Sequence, residues 1–72
     1  MNRKRYNTPS FVFDNIDFLK ENRTDKSLSR QALATKTGVS MEMIAQYEHC
    51  TSLPGKKNYN KLANFFGWQF WE

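Results

Sequence analysis

The sequence has few of the residues that build covalent or metal-held frameworks. Its 72 residues include one cysteine, one histidine, two prolines and three glycines. A single cysteine excludes an internal disulfide framework and is typical of a reducing compartment. His49 and Cys50 alone cannot supply the four ligands of a structural zinc site. No apolar run approaches the roughly 20 residues that cross a bilayer. We therefore expect a cytoplasmic chain with no metal and no membrane contact.

Catalytic constellations are missing too. The sequence has no paired carboxylates, no Ser/His/Asp set and no glycine-rich phosphate loop. A chain of this length buries only roughly 60% of the surface that it exposes when unfolded, which leaves little room for a substrate cleft. We predict that the protein is not an enzyme and uses no cofactor, so that a binding module is the default expectation.

What the sequence does contain is positive charge and aromatic side chains. Eleven Lys and Arg against seven Asp and Glu give a net charge of +4, which permits nucleic-acid binding without proving it. Three of these cations, Arg3, Lys4 and Arg5, lie within the first nine residues. We expect a basic flexible arm over residues 1–9, either on phosphate or simply solvated, and one domain over residues 10–72.

Apolar spacing predicts an all-α fold. Val12, Ile16 and Leu19 repeat at helical intervals, so a first helix should run from an N-cap at Ser10 to Asn22. Alternating extended runs are absent. The remaining expected elements are helices at Arg30–Thr37, Met41–His49 and about 58–66, followed by an aromatic tail at 68–72 that could start a fifth helix.

Residues 28–47 have the mechanics of a helix-turn-helix. Two short helices that cross closely need a small residue at the crossing, here Ala34, and a glycine in the turn, here Gly38. Val39 then provides an apolar plug, Ser40 caps the second helix, and Ile44 closes the core. This pattern predicts a helix-turn-helix motif.

The string LSRQALATKTGVSMEMIAQYEHCTSLP, followed by YNKLANFFGW, resembles the helix-turn-helix domains of phage Cro and CI repressors. With Ile16 and Leu19 added, the resemblance spans residues 12–68 and implies a compact, lambda-repressor-like bundle of four or five helices. The length and the basic arm also resemble the small modulator-of-repression, or antirepressor, proteins of temperate phages of lactic acid bacteria.

The resemblance implies which residues form a contact surface. It makes Arg30 a phosphate contact and Glu48 a structural residue, and it places Cys50 where the family usually has glycine. Lys56 and Lys57, expected in the following loop, are further phosphate candidates or a solubilising pair. The recognition helix would present Ser40, Met41, Glu42, Ala45 and Gln46.

The distribution of charge favours a protein ligand. Residues 37–50 contain two glutamates and no Lys or Arg, whereas residues 1–36 and 51–72 carry net charges of +4 and +2. DNA affinity comes largely from neutralised phosphates, and methionine is common at adaptable protein-binding surfaces. We therefore expect a phage-switch antirepressor, acting in the bacterial cytoplasm, that binds the N-terminal DNA-binding domain of a cognate repressor, alone or together with operator DNA.

Other interpretations stay open at this stage. A Cro-like repressor would read operator DNA directly through Met41, Glu42 and Gln46, and a toxin-neutralising helix-turn-helix protein is a third class. Phe70 and Trp71 are hard to bury in so small a body, so they are candidate interface aromatics for a homodimer or a partner. A monomer and a weak homodimer are both compatible with the sequence.

Overall fold

The computed structural model describes residues 8–72, so the candidate contacts Arg3, Lys4 and Arg5 lie outside the described residues. Within residues 8–72 the chain forms helices and no strand, which confirms the all-α prediction. None of these helices is long and apolar enough to cross a membrane. The elements are α1 Ser10–Asp17, α2 Leu19–Asp25, α3 Arg30–Thr37, α4 Met41–Glu48 and α5 Lys56–Phe66.

The prediction of one continuous first helix is wrong. The helix breaks at Phe18, whose backbone (φ −106°, ψ 16°) separates α1 from α2 and whose side chain is 59% exposed. The spacing of apolar residues did not predict this break, because Leu19 continues the apolar spacing of α1 and is fully buried. Ser10 is not the N-cap either: Pro9 holds that position, and its carbonyl accepts from the amide of Val12 at 3.0 Å. Residues 8–72 contain five helices because the predicted first helix is divided in two. The aromatic tail at residues 68–72, where a fifth helix was expected, forms no helix.

The start of α5 also differs from the expectation. The helix begins at Lys56, so Lys56 and Lys57 occupy its first turn instead of the preceding loop. Lysines near a helix N-terminus are electrostatically unfavourable, which is why local sequence did not predict this start. Burial of Tyr59, Leu62 and Ala63 along one side of α5 offsets that cost.

The core holds two fully buried tyrosines whose hydroxyl groups are both hydrogen-bonded. Tyr47 Oη accepts from the side-chain amide (Nδ2) of Asn58 at 3.0 Å, and Tyr59 Oη accepts from the side-chain amide (Nδ2) of Asn15 at 2.9 Å. Tyr59 Oη also donates to the carbonyl of Gln69 at 2.7 Å, as a buried tyrosine requires. The core around them consists of Val12, Ile16, Leu19, Leu33, Val39, Ile44, Leu62 and Ala63.

The loop after α4 keeps a left-handed residue although no glycine is present. Cys50 has a φ of 60°, and its amide donates to the carbonyl of Tyr47 at 3.2 Å. Cys50 therefore adopts a backbone conformation that glycine takes more readily. A residue with a Cβ pays roughly 1–2 kcal/mol for this conformation.

We predict that Cys50→Gly stabilises the protein by about 1 kcal/mol, because the strain at φ 60° exceeds the entropy that glycine adds to the unfolded chain. Urea unfolding followed by circular dichroism measures the change. The matched control is His49→Gly, at an ordinary φ of −90°, which should not stabilise. Equal or lower stability of Cys50→Gly would contradict the prediction.

Candidate functional site

The turn between α3 and α4 positions the candidate recognition surface. Gly38 ends α3 in the left-handed conformation, with φ 82°, and its amide donates to the carbonyl of Ala34 at 2.9 Å. Val39 follows as a plug that is 1% exposed. Thr37 Oγ1 accepts from the amide of Val39 at 3.2 Å and donates to the carbonyl of Leu33 at 2.8 Å. These bonds hold the angle between the two helices.

Both helices of the motif begin with a side-chain cap. The hydroxyl of Ser29 accepts from the amide of Ala32 at 3.0 Å, and that of Ser40 accepts from the amide of Met43 at 3.2 Å. Each bond satisfies an amide that the first turn of a helix leaves without a backbone partner. Ser40 thus has a structural role in addition to its place at the edge of the predicted surface.

The predicted recognition residues lie on the outer side of α4. Met41 is 39% exposed, Glu42 and Gln46 are exposed, and Ala45 is half-buried. Their spacing places them on adjacent parts of one helix face. Ile44 and Tyr47 point inward instead, with Met43 packed against the same core. The structure therefore groups the four outer residues as a candidate contact face.

Behind this face lies a buried carboxylate paired with two arginines. The Glu48 side chain is fully buried; its Oε2 accepts from Arg23 Nε at 2.7 Å, and its Oε1 accepts from Arg30 Nε at 2.9 Å and Arg23 Nη2 at 3.0 Å. Arg23 Nη1 also donates to the carbonyl of Leu28 at 2.8 Å. This ion triad (Arg23, Arg30 and Glu48) ties α2, α3 and α4 together.

The triad keeps Glu48 ionised. Burial by itself raises the pKa of Glu48, but hydrogen bonds from Arg23 and Arg30, together with their charges, lower it by more. The pKa therefore lies below its ordinary value of 4.5. Glu48 is a structural residue, as the resemblance to the family implied.

The guanidinium of Arg30, the predicted phosphate contact, is hydrogen-bonded along one of its edges only. Its Nε bonds to Glu48, its Nη2 lies 3.5 Å from His49 Nε2, and its side chain is 33% exposed. Two arginines share one carboxylate, so the triad as a whole keeps a charge of +1 at the start of α3. The guanidinium of Arg30 is thus both anchored and partly open to solvent.

Pairing of Glu48 changes the charge that α4 presents. The sequence count of two negative charges over residues 37–50 includes Glu48, whose charge is buried and compensated. Glu42 is therefore the only charged side chain exposed on α4. Within residues 8–72, no hydrogen bond or ion pair engages its carboxylate. The outer face of α4 is weakly acidic and carries no cation.

An open depression lies between α3 and α4, beside this face. Its volume is about 420 Å³. Sequence reasoning missed the wall formed by α3, although positions 31, 34 and 35 share the spacing of one helix face. The lining comprises Gln31, Ala34 and Thr35 of α3, Gly38, Val39 and Ser40 of the turn, and Met41 and Glu42 of α4.

The remaining candidates lie elsewhere. Lys56 and Lys57 are both exposed, and the Lys56 ammonium lies 5.8 Å from the centroid of the Trp71 ring. Trp71 is half-buried, and its backbone amide and carbonyl both bond to the Asn60 side chain, at 2.8 and 2.7 Å. Phe70, 49% exposed, is therefore the tail aromatic more available to a partner.

Comparison with known proteins agrees with this geometry. A family model described as helix-turn-helix matches residues 19–68. The chain belongs to this helix-turn-helix family. The match confirms the Cro/CI type expected from the sequence, and the family consists of DNA-binding transcription regulators, not enzymes. No curated protein and no solved structure matches the chain.

We predict that Glu48→Gln destabilises the protein by about 3–5 kcal/mol, because it leaves the buried guanidinium of Arg23 without its counter-charge. The folded-state pKa of Glu48 is below its unfolded value. Its contribution to stability is therefore complete above pH 4.5 and is lost as the pH falls through the folded pKa. Urea unfolding between pH 7 and pH 2 measures both effects.

The control for this variant is Glu21→Gln, which removes an exposed carboxylate from α2. It should keep the stability and the acid sensitivity of the unmodified protein. A Glu48→Gln variant with an unchanged dependence of stability on pH would show that the triad is not what the acid disrupts.

Proposed function

We propose that this helix-turn-helix regulator acts in a phage lysis/lysogeny switch as an antirepressor, in the cytoplasm of a bacterial host. Its outer α4 face would bind the DNA-binding domain of a cognate CI-type repressor. The observation that carries the proposal is the charge of that face: Glu42 is the only exposed charged residue on α4, and it is acidic.

Electrostatic complementarity supports a protein ligand. A helix that enters the groove of DNA meets a dense array of phosphates, and most DNA affinity comes from neutralising them with Lys and Arg. An acidic face opposes that contact but suits a surface that is itself built to hold phosphate. Met41, 39% exposed beside Glu42, adds a flexible apolar contact of the kind found at adaptable interfaces.

Direct binding to operator DNA is the second candidate, and a specific observation favours it. The ion triad keeps a charge of +1 at the start of α3, where Arg30 retains an exposed edge. Gln46 is exposed on α4, and glutamine can bond adenine with two hydrogen bonds in the major groove. A Cro-like repressor would combine these contacts with phosphate contacts from Lys57.

Gel shifts with operator DNA, with and without a candidate cognate CI-type repressor, separate the two functions. An antirepressor shifts the operator weakly by itself and changes the shift that the repressor produces. Tight, sequence-specific binding by the protein alone, with a steep decrease in affinity as salt increases, would instead support the Cro-like function.

We predict that Met41→Ala combined with Glu42→Lys weakens binding to the repressor at least about tenfold, because it removes an apolar contact and places a cation against a basic surface. Isothermal titration calorimetry measures the change. The matched control is Phe18→Ala with Glu21→Lys, which makes equivalent changes at exposed positions near the α1–α2 junction. Unchanged affinity of the α4 variant would place the interface elsewhere.

We predict that Arg30→Ala reduces operator affinity if DNA is the ligand, and that the slope of log affinity against log salt becomes less steep by about 0.9 for the lost phosphate contact. Lys36→Ala, which removes an exposed cation from the last turn of α3, is the charge-matched control. Fluorescence anisotropy over a salt series measures the slope. An unchanged slope would remove Arg30 from the phosphate contacts.

A further inference from the structure

We propose that the depression between α3 and α4 binds an arginine side chain of the partner protein. The proposal rests on the protein-binding function above and defines its chemistry: the partner would insert one guanidinium beside Glu42. Three features of the depression lead to this ligand, namely its walls, its charge and its hydrogen-bonding groups.

The walls suit a long side chain with an apolar stem. Ala34, which is half-buried, lines the depression, and Met41 lies at its side with 39% of its surface exposed. Arginine and lysine place their methylene groups along apolar surface while their charged ends reach a polar site. A volume of about 420 Å³, open to solvent, admits such a side chain without rearrangement of the helices.

The charge of the depression selects a cation. Glu42 is its only charged lining residue, and no described residue neutralises it. The carboxyl end of α3 and the amino end of α4 meet at this turn, so their opposite dipole charges largely cancel, and Glu42 remains the only full charge among the lining residues. Lys61 of α5 lies at the same turn, where its ammonium donates to the Gly38 carbonyl at 3.4 Å, and it forms no ion pair with Glu42.

The polar groups favour arginine over lysine. The free carboxylate of Glu42 can accept two parallel hydrogen bonds from a planar guanidinium, a geometry that an ammonium group does not match. Gln31 and Thr35 contribute further side-chain oxygens from α3. Thr35 Oγ1 donates to the Gln31 backbone carbonyl at 3.1 Å, so its lone pairs remain able to accept.

The test is an NMR titration of the ¹⁵N-labelled full chain with blocked tripeptides. The probes are acetyl-Gly-Arg-Gly-amide, its lysine counterpart, and its citrulline counterpart, which has nearly the shape of arginine without its charge. We expect the arginine peptide to move the amide signals of Ala34, Thr35 and Glu42 in a saturable way. It should bind more tightly than the lysine peptide, and citrulline should have little effect.

Two variants with the same change of net charge locate the site. Glu42→Gln should weaken binding of the arginine peptide about two- to fivefold, as expected for an exposed ion pair, whereas Glu21→Gln should leave it unchanged. Circular dichroism melts check that both variants are folded. Equal binding of arginine and citrulline peptides, equal effects of the two variants, or shifts confined to other residues would each overturn the proposal.

The repressor provides a separate measurement that distinguishes this proposal from the antirepressor function. If the repressor binds the protein while the arginine peptide produces no saturable shifts at the depression, the arginine site is wrong and the function stands. If the peptide binds at the depression but the repressor does not bind, the site stands and its partner is another arginine-bearing protein.

Discussion

The buried pairing of Glu48 with Arg23 and Arg30 is the interaction on which the recognition surface depends. A carboxylate with no exposed surface is tolerated only when cations and hydrogen bonds replace its water. Here those groups come from α2 and α3. The ion pairs of Glu48 therefore hold α4 against both of these helices. The same contact anchors the guanidinium of Arg30 at the surface.

The triad also changes how the charge of the protein is interpreted. A net charge of +4 permits nucleic-acid binding, and the sequence count over residues 37–50 gives a net charge of −2. In the structure, Glu48 belongs to the interior and Glu42 alone sets the sign of the outer face of α4. The acidic outer face of α4 favours a protein ligand, whereas the positive charge at the start of α3 favours DNA. The two surfaces therefore support different candidate functions.

Much of the candidate site could be predicted because the motif is local. The caps at Ser29 and Ser40, the left-handed Gly38 and the outward positions of α4 follow from spacing and backbone conformation within twenty residues. The wall contributed by Gln31 and Thr35 could not be predicted in the same way, since a depression exists only after two helices have packed. Apolar spacing likewise does not predict the helix break at Phe18, and the exposure of the Phe18 side chain depends on that break.

By itself, the sequence determined the helical class, the helix-turn-helix motif and the absence of a recognisable catalytic set. These features depend on residue type and on short spacing along the chain. Only the tertiary structure decided that α1 ends at Asp17, that α5 begins with two lysines, that the aromatic tail bonds to Asn60, and that the charge of Glu48 is compensated by two arginines. Each of these is settled by residues distant in sequence, because burial and charge pairing depend on which elements meet in space.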